Sequence, residues 1–315
     1  MKHIKIITLA SLLAIHFQAA AEIRVLNGVA TEVNASIITY GDIERTVRLL
    51  RSNPASASIS NEELAKTAKQ QLMERALLVY AAKEQGLKVT SAEIDAELNR
   101  RATAAHTTVE NLFNQTKKLG WSRDAYRLEV AKDLLVGRMI DRMNESVEVS
   151  DNDIQAYINQ AQKDGQVVPS GNPYTVYNVR RIVLKINENN KAAAVGDRMK
   201  LIAKSVQSGS DFGTLAKRYS QEAAAAQNGV VELPENSQPE KVEAMLQLLK
   251  VGETSAPIQT TQNWQMLQML GKRTEIDPTK TQREAIRRLL VRKEQQKQQT
   301  QFMQQLMHDA VVNNF

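Results

Sequence analysis

Cysteine is absent from the 315 residues. That excludes disulfide frameworks, thiol nucleophiles, iron–sulfur clusters, cysteine-rich zinc sites and the lipid-bearing cysteine of a lipoprotein. Histidine is nearly absent too, with only His3, His16, His106 and His308. Imidazole-based metal or acid–base chemistry therefore has little to work with, and neither a metal nor a cofactor is expected. No Gly-rich phosphate-cradling loop occurs, so nucleotide hydrolysis is not expected. Nor is there an apolar run of the roughly 20 residues that span a bilayer.

What is present is ordinary for a globular chain: 42% hydrophobic and 24% charged residues. The length suggests about two domains and is sufficient for a real core without metal or disulfide staples. Lys2 and Lys5, the short apolar run Ile6 to Ile15, and Ala19-Ala20-Ala21 before Glu22 have the order of a cleaved export signal. Residues 1–21 are therefore expected to be removed and the protein to be periplasmic, without a stable membrane anchor. Loss of the two lysines lowers the formal charge from +6 to +4. So small an excess does not call for nucleic acid as a partner.

Residues 23–40 alternate and are rich in Val and Ile, which predicts two short strands turning at Asn27-Gly28 or Asn34-Ala35. A helix follows from Gly41-Asp42 to about Ser52. Ser/Thr-x-x-Asp/Glu boxes at Ser60/Glu63, Thr90/Glu93, Thr107/Glu110 and Ser150/Asp153, with Ser122 as a further cap, mark a succession of helices. These predict a helical domain over 22–163. Residues 164–173, dense in Gly, Pro, Ser and Asn, predict a linker.

The pattern then changes to β-α-α-β-α-β over 174–275, the order of a small α+β domain. Its strands are expected at Tyr174–Ile186, Gly229–Leu233 and Trp264–Leu270, and its helices at Asn190–Ser208, Asp211–Tyr219 and Pro239–Leu249. In 276–315 a helix is expected from Thr281 to His308, apolar at its two ends and wholly polar from Arg292 to Gln301. Ala310–Phe315 closes a strand or packs on the first domain.

The segments "NVRRIVLKI", "GSDFGTLAKRYSQ" and "LKVGETSAPIQT", with Trp264 leading the last strand, resemble a parvulin-type prolyl isomerase domain. The helical segments "NASIITYGDIERTVRLL", "LMERALLVYAAKEQGLKVTSAEIDAEL" and "VEVSDNDIQAY" resemble the N-terminal domain of the SurA family of periplasmic chaperones, and "REAIRRLLVRKEQQ" is similar to that family's C-terminal segment. The resemblance implies an α+β protein: a helical chaperone domain completed by the C-terminal helix, plus one parvulin-like domain where many relatives have two. Lipoprotein and membrane-anchored relatives fit less well, because the chain lacks both the cysteine and the span.

Prolyl isomerisation crosses a barrier lowered by desolvating and twisting the amide, with no nucleophile required. Active members of the family are expected to use two histidines, a Cys or Asp between them, and Met and Phe walls for the ring. Here the histidine positions fall on Arg181 and Gln265, the acidic position on Glu222, the Phe on Val242 and the Met on Gln238. A fixed cation replaces a neutral imidazole, so the domain is expected to lack isomerase activity.

The implied function is ATP-independent binding of unfolded outer-membrane proteins or peptides, with outer-membrane assembly machinery as a further partner. Met245 and Trp264, and Met139 with Met143 at i and i+4, are candidate peptide contacts, Met being suited to promiscuous surfaces. For Met139 and Met143 ordinary core packing is the simpler reading. An active isomerase with a non-standard pocket around Glu222, Met245 and Trp264 is the rival, and a structural adaptor a third. His106 is expected beside a helix start, and His308 in a last turn where the helix dipole favours a cation.

Overall fold

The computed structural model describes residues 28–187 and 189–315. The expected signal peptide, and Asn27 of one candidate turn, lie outside the described residues. Seven strands and ten α-helices are formed among those described. They divide into two compact units, one running to Leu72 and regaining Val312–Phe315, the other Met73–Val311.

In the first unit, β1 (Val29–Val33) and β2 (Ser36–Thr39) form a hairpin. Asn34 provides the positive φ of its turn, +51°, so the second of the two candidate turns is used. β7 (Val312–Asn314) pairs with the free edge of β1, giving the order β2-β1-β7. The Thr31 hydroxyl lies 2.9 Å from the Asn313 carbonyl, fixing this far-separated strand. α1 (Tyr40–Arg51) is opened by a capping box between Thr39 and Asp42. α2 (Asn61–Glu84) begins at the Ser60/Glu63 box and contributes buried Leu64 and Ala68 to this unit.

The second unit begins with the rest of α2, followed by α3 (Ser91–Ala104), α4 (Val109–Lys118), α5 (Arg123–Asn144) and α6 (Asp151–Lys163). The Thr90/Glu93 and Ser150/Asp153 boxes and the Ser122 cap form as read from sequence. The cap of α4 does not: it is Thr108, whose hydroxyl accepts the Asn111 N–H, and not Thr107. The reason lies in how α3 ends. His106 adopts φ +50°, and the N–H of Thr107 returns to the Ala102 carbonyl at 2.8 Å. That is a Schellman closure, which uses Thr107 to end one helix and leaves its neighbour to start the next. His106 thus sits at a helix end, not a helix start. One helical core joins Val79, Ala82, Leu135 and Met139, with Met143 and Phe302 packed against it.

Residues 166–173 have no regular structure. Beyond them a four-stranded antiparallel sheet has the order β4-β3-β6-β5, from β3 (Tyr174–Lys185), β4 (Val230–Pro234), β5 (Ile258–Gln259) and β6 (Asn263–Glu275). β6 is longer than the apolar run suggested, because its polar half, Gly271–Glu275, continues to pair with Tyr174–Asn178. α7 (Ala192–Gln207) and α8 (Phe212–Tyr219) cover one face, burying Ile182, Leu184, Met199, Phe212 and Met266. α9 (Glu240–Leu248) covers the other, burying Val179, Val242, Leu246, Leu267 and Met269.

α10 (Pro278–Asp309) starts three residues earlier than expected. Asp277 accepts the Thr279 and Lys280 N–H groups at 2.9 and 3.0 Å, and Pro278 takes the first helical position, where no N–H is needed. Buried Glu284 accepts from Arg287 and Arg288 at 3.0 Å each. Arg288 also donates to the Glu235 carbonyl (2.8 Å) and lies over Tyr174, while Arg283 and Arg287 reach Asp151. The first turns of α10 thereby tie the start of α6 to the sheet.

Candidate functional site

Antiparallel pairing fixes which side chains share a face. Arg181 opposes Leu267 and Val183 opposes Gln265, and alternation along each strand puts all four on the α9 side. Register thus puts Arg181 and Gln265 on one face of the sheet, and an ion pair brings Glu222 to Arg181. Arg181 donates through Nε and Nη2 to the two oxygens of Glu222 at 2.8 and 2.5 Å, and through Nη1 to Gln238 Oε1 at 2.9 Å. The two charged side chains retain 15% and 23% exposure. A bidentate guanidinium–carboxylate pair is among the stronger polar contacts and fixes both planes.

The backbone around it holds this geometry. The Arg181 N–H donates to the Gly229 carbonyl at 2.8 Å. Gly229 has φ +76°, and a Cβ there would stand 2.5 Å from the Arg181 carbonyl oxygen, so only glycine fits. Further along β3, the Val183 N–H donates to Ser220 Oγ at 3.0 Å and the Lys185 N–H to Gln221 Oε1 at 2.6 Å. Segment 220–229 is thus laced to the strand that carries Arg181. These partners carry no signature in sequence, because short polar residues in a loop look alike until the edge they satisfy is known.

Gln265 is 2% exposed, and its side-chain carbonyl is buried with no hydrogen-bond partner. Val242 is fully buried in the α9 core, and Met245 is half-buried against the same core. Trp264 does not join this face. Its indole N–H donates to the Ala192 carbonyl at 3.0 Å and its ring lies against Gly196, on the α7 side of the sheet. One residue of strand alternation separates it from Gln265. A pocket built of Glu222, Met245 and Trp264 together is therefore not formed. Met139 is buried in the helical core with Met143 packed beside it, so this pair is packing. His308 is exposed, 2.9 Å from Asp309 Oδ1.

Chemically, the three guanidinium nitrogens of Arg181 each donate one hydrogen bond, two to Glu222 and one to Gln238. α9 also contains a feature with no signature in its local pattern: Glu243 is buried with neither carboxylate oxygen hydrogen-bonded. Among the described residues no cluster of three or more His, Asp or Glu is placed to hold a metal, and no helix is long and apolar enough to cross a membrane. Separately, in the first unit, Tyr40, Ile43, Val47 and Ala65 line a groove of about 320 Å³ between α1 and α2, rimmed by Glu44, Arg48 and Asn61.

The sheet, its two helical layers and the helical segment before them match two family models. Residues 182–271 match the PPIC-type PPIase (rotamase) domain, and residues 2–140 the SurA-like N-terminal domain. The chain thus carries a SurA-like N-terminal domain and a PPIC-type, parvulin-type domain. Among curated proteins it is similar to the chaperone SurA of Ralstonia nicotianae, 28% identical over 267 residues covering 81% of this chain and 53% of that one. The SurA of Cupriavidus pinatubonensis is 30% identical over 220 residues, 66% of this chain and 42% of the relative. The chain spans about half the length of the curated relatives it matches. Among solved structures, a SurA-like chaperone of Campylobacter jejuni is 15% identical with a TM-score of 0.40, covering 92% of this chain and 100% of that chain.

Proposed function

We propose that this protein is a periplasmic, ATP-independent chaperone that holds unfolded outer-membrane proteins, and that its PPIC-type domain has negligible isomerase activity. On this reading residues 1–21 are a removed export signal. Residues 22–163 and 276–315 form the chaperone part, 164–173 a linker, and 174–275 a peptide-binding or spacing module. Its homology to SurA chaperones, which are periplasmic, supports the setting.

The observation that carries the inactivity is the closed triad of Arg181, Glu222 and Gln238. A catalyst for amide rotation must stabilise the twisted amide more than the planar one. Three of the five N–H groups of the guanidinium are committed to a carboxylate and an amide, which holds Arg181 in one orientation and keeps it from following a rotating carbonyl, and Gln265 is buried. The α1–α2 groove, with its aromatic and branched lining, suits an extended apolar segment.

The chaperone reading is tested by light scattering of a urea-diluted β-barrel protein. Stoichiometric chain is expected to suppress aggregation without ATP, and Val47→Asp in the groove to weaken suppression several-fold while the chain stays folded. Unimpeded aggregation in the presence of the unaltered chain would overturn it.

A further inference from the structure

The PPIC-type domain touches α5 at a junction where acidic groups gather. Asp141 and Glu145 lie one turn apart, so they share a face of the last turns of α5. Glu145 Oε1 accepts the Thr261 N–H at 3.4 Å, and Gln262 Nε2 donates to the Arg142 carbonyl at 3.5 Å. Both hydrogen bonds are long, and both come from the turn between β5 and β6. From α9, Glu240 adds a third negative charge near Asp141, with Lys241 beside it, and Arg100 of α3 faces Glu240. On α5 itself, Arg138 also acts on Asp141 but is paired with Glu93. The turn 260–263 has no charged residue with which to neutralise Glu145.

We infer that Asp141 and Glu145 form an acid-sensitive latch that holds the PPIC-type domain against α5 at mildly acidic pH and loosens it as pH rises. Burial raises the Glu145 carboxyl above its usual range, against the Thr261 hydrogen bond that lowers it, and Asp141 raises it further. Asp141 keeps solvent access, yet the surrounding protein and then Glu240 raise it too. An acid with a raised pKa binds its proton more tightly in the docked state than in the open one. Docking is therefore favoured below the raised values and loses that contribution as pH climbs through them. The α10 clamp on Asp151 and Glu235 does not touch these groups, so the loosening is confined to the α5 side.

The absence of cysteine makes the test direct. The full chain with Lys118→Cys on α4 and Lys200→Cys on α7 is labelled with a donor–acceptor pair, and transfer efficiency is followed from about pH 4.5 to about pH 8, bracketing ordinary and raised carboxylates. Efficiency is expected to fall through a transition as pH rises. In Asp141→Asn/Glu145→Gln it is expected to stay at the acidic value throughout, with circular dichroism confirming the fold. Glu240→Gln, which removes the third charge, is expected to shift the midpoint to lower pH. Efficiency independent of pH in the unaltered chain, or a transition that survives in the double variant, would overturn the latch.

Discussion

Arg181 occupies a position where a neutral imidazole would be mobile in charge and able to donate. Instead it provides a permanent cation that must be matched wherever it is half-sheltered from water. Glu222 supplies the match and Gln238 takes a third N–H, so the three residues act as a single unit. Removing one member leaves the others unsatisfied. Arg181→Leu is expected to destabilise the domain by about 1–3 kcal/mol, read from the urea midpoint. Arg181→Leu/Glu222→Leu is expected to recover most of that loss, because no lone charge remains. A double variant as unstable as the sum of the singles would show that the pair is not coupled. The three residue identities were legible from the family pattern, but their closure into one network was not. It depends on the β3–β6 register and on how 220–229 folds back onto β3, both of them long-range facts.

Elements owe their boundaries to local chemistry, and a boundary is legible in the sequence wherever its cap is unambiguous. The Thr90/Glu93 box opened α3 as read. Two adjacent threonines misled at α4, because the end of α3 had first claim on Thr107. At α10 the Asp277 cap and Pro278 start the helix ahead of the expected Thr281. Asp277→Ala should cost about 1 kcal/mol, measurable by thermal unfolding, with no change expected if the cap were idle. In α3, Glu97 accepts from Arg100 and Arg101 (2.7–2.8 Å), and those contacts hold its carboxyl down to about 2. An unfolded glutamate titrates near pH 4.3. The contribution of Glu97 is therefore complete above that value and is lost as pH falls toward 2. The stability gap between the unaltered chain and Glu97→Gln should close over that interval. On α9, Leu246 is fully buried, and Leu246→Ala should remove about 2–5 kcal/mol.

At the scale of the whole molecule, α10 and β7 show why so late a segment matters early in the chain. Ile286 is buried and Phe302 packs on the helical core of the second unit, while β7 completes the sheet of the first. Deleting residues 282–315 is expected to abolish client binding or folding, and a truncated chain with full activity would contradict that. Which strand β7 would join was not legible from composition. An edge partner about 280 residues away is chosen by tertiary pairing, not by local propensity. Trp264 teaches the same lesson at the sheet: an aromatic at the head of a strand says nothing about its face until the register is known.

The central question is whether a parvulin-type fold with a closed Arg181–Glu222–Gln238 triad catalyses amide rotation. The most direct measurement is prolyl isomerisation by the chain lacking residues 1–21, in a protease-free peptide assay beside an active parvulin. A rate equal to the uncatalysed one is predicted. A clear acceleration that disappears in Glu222→Ala would contradict it.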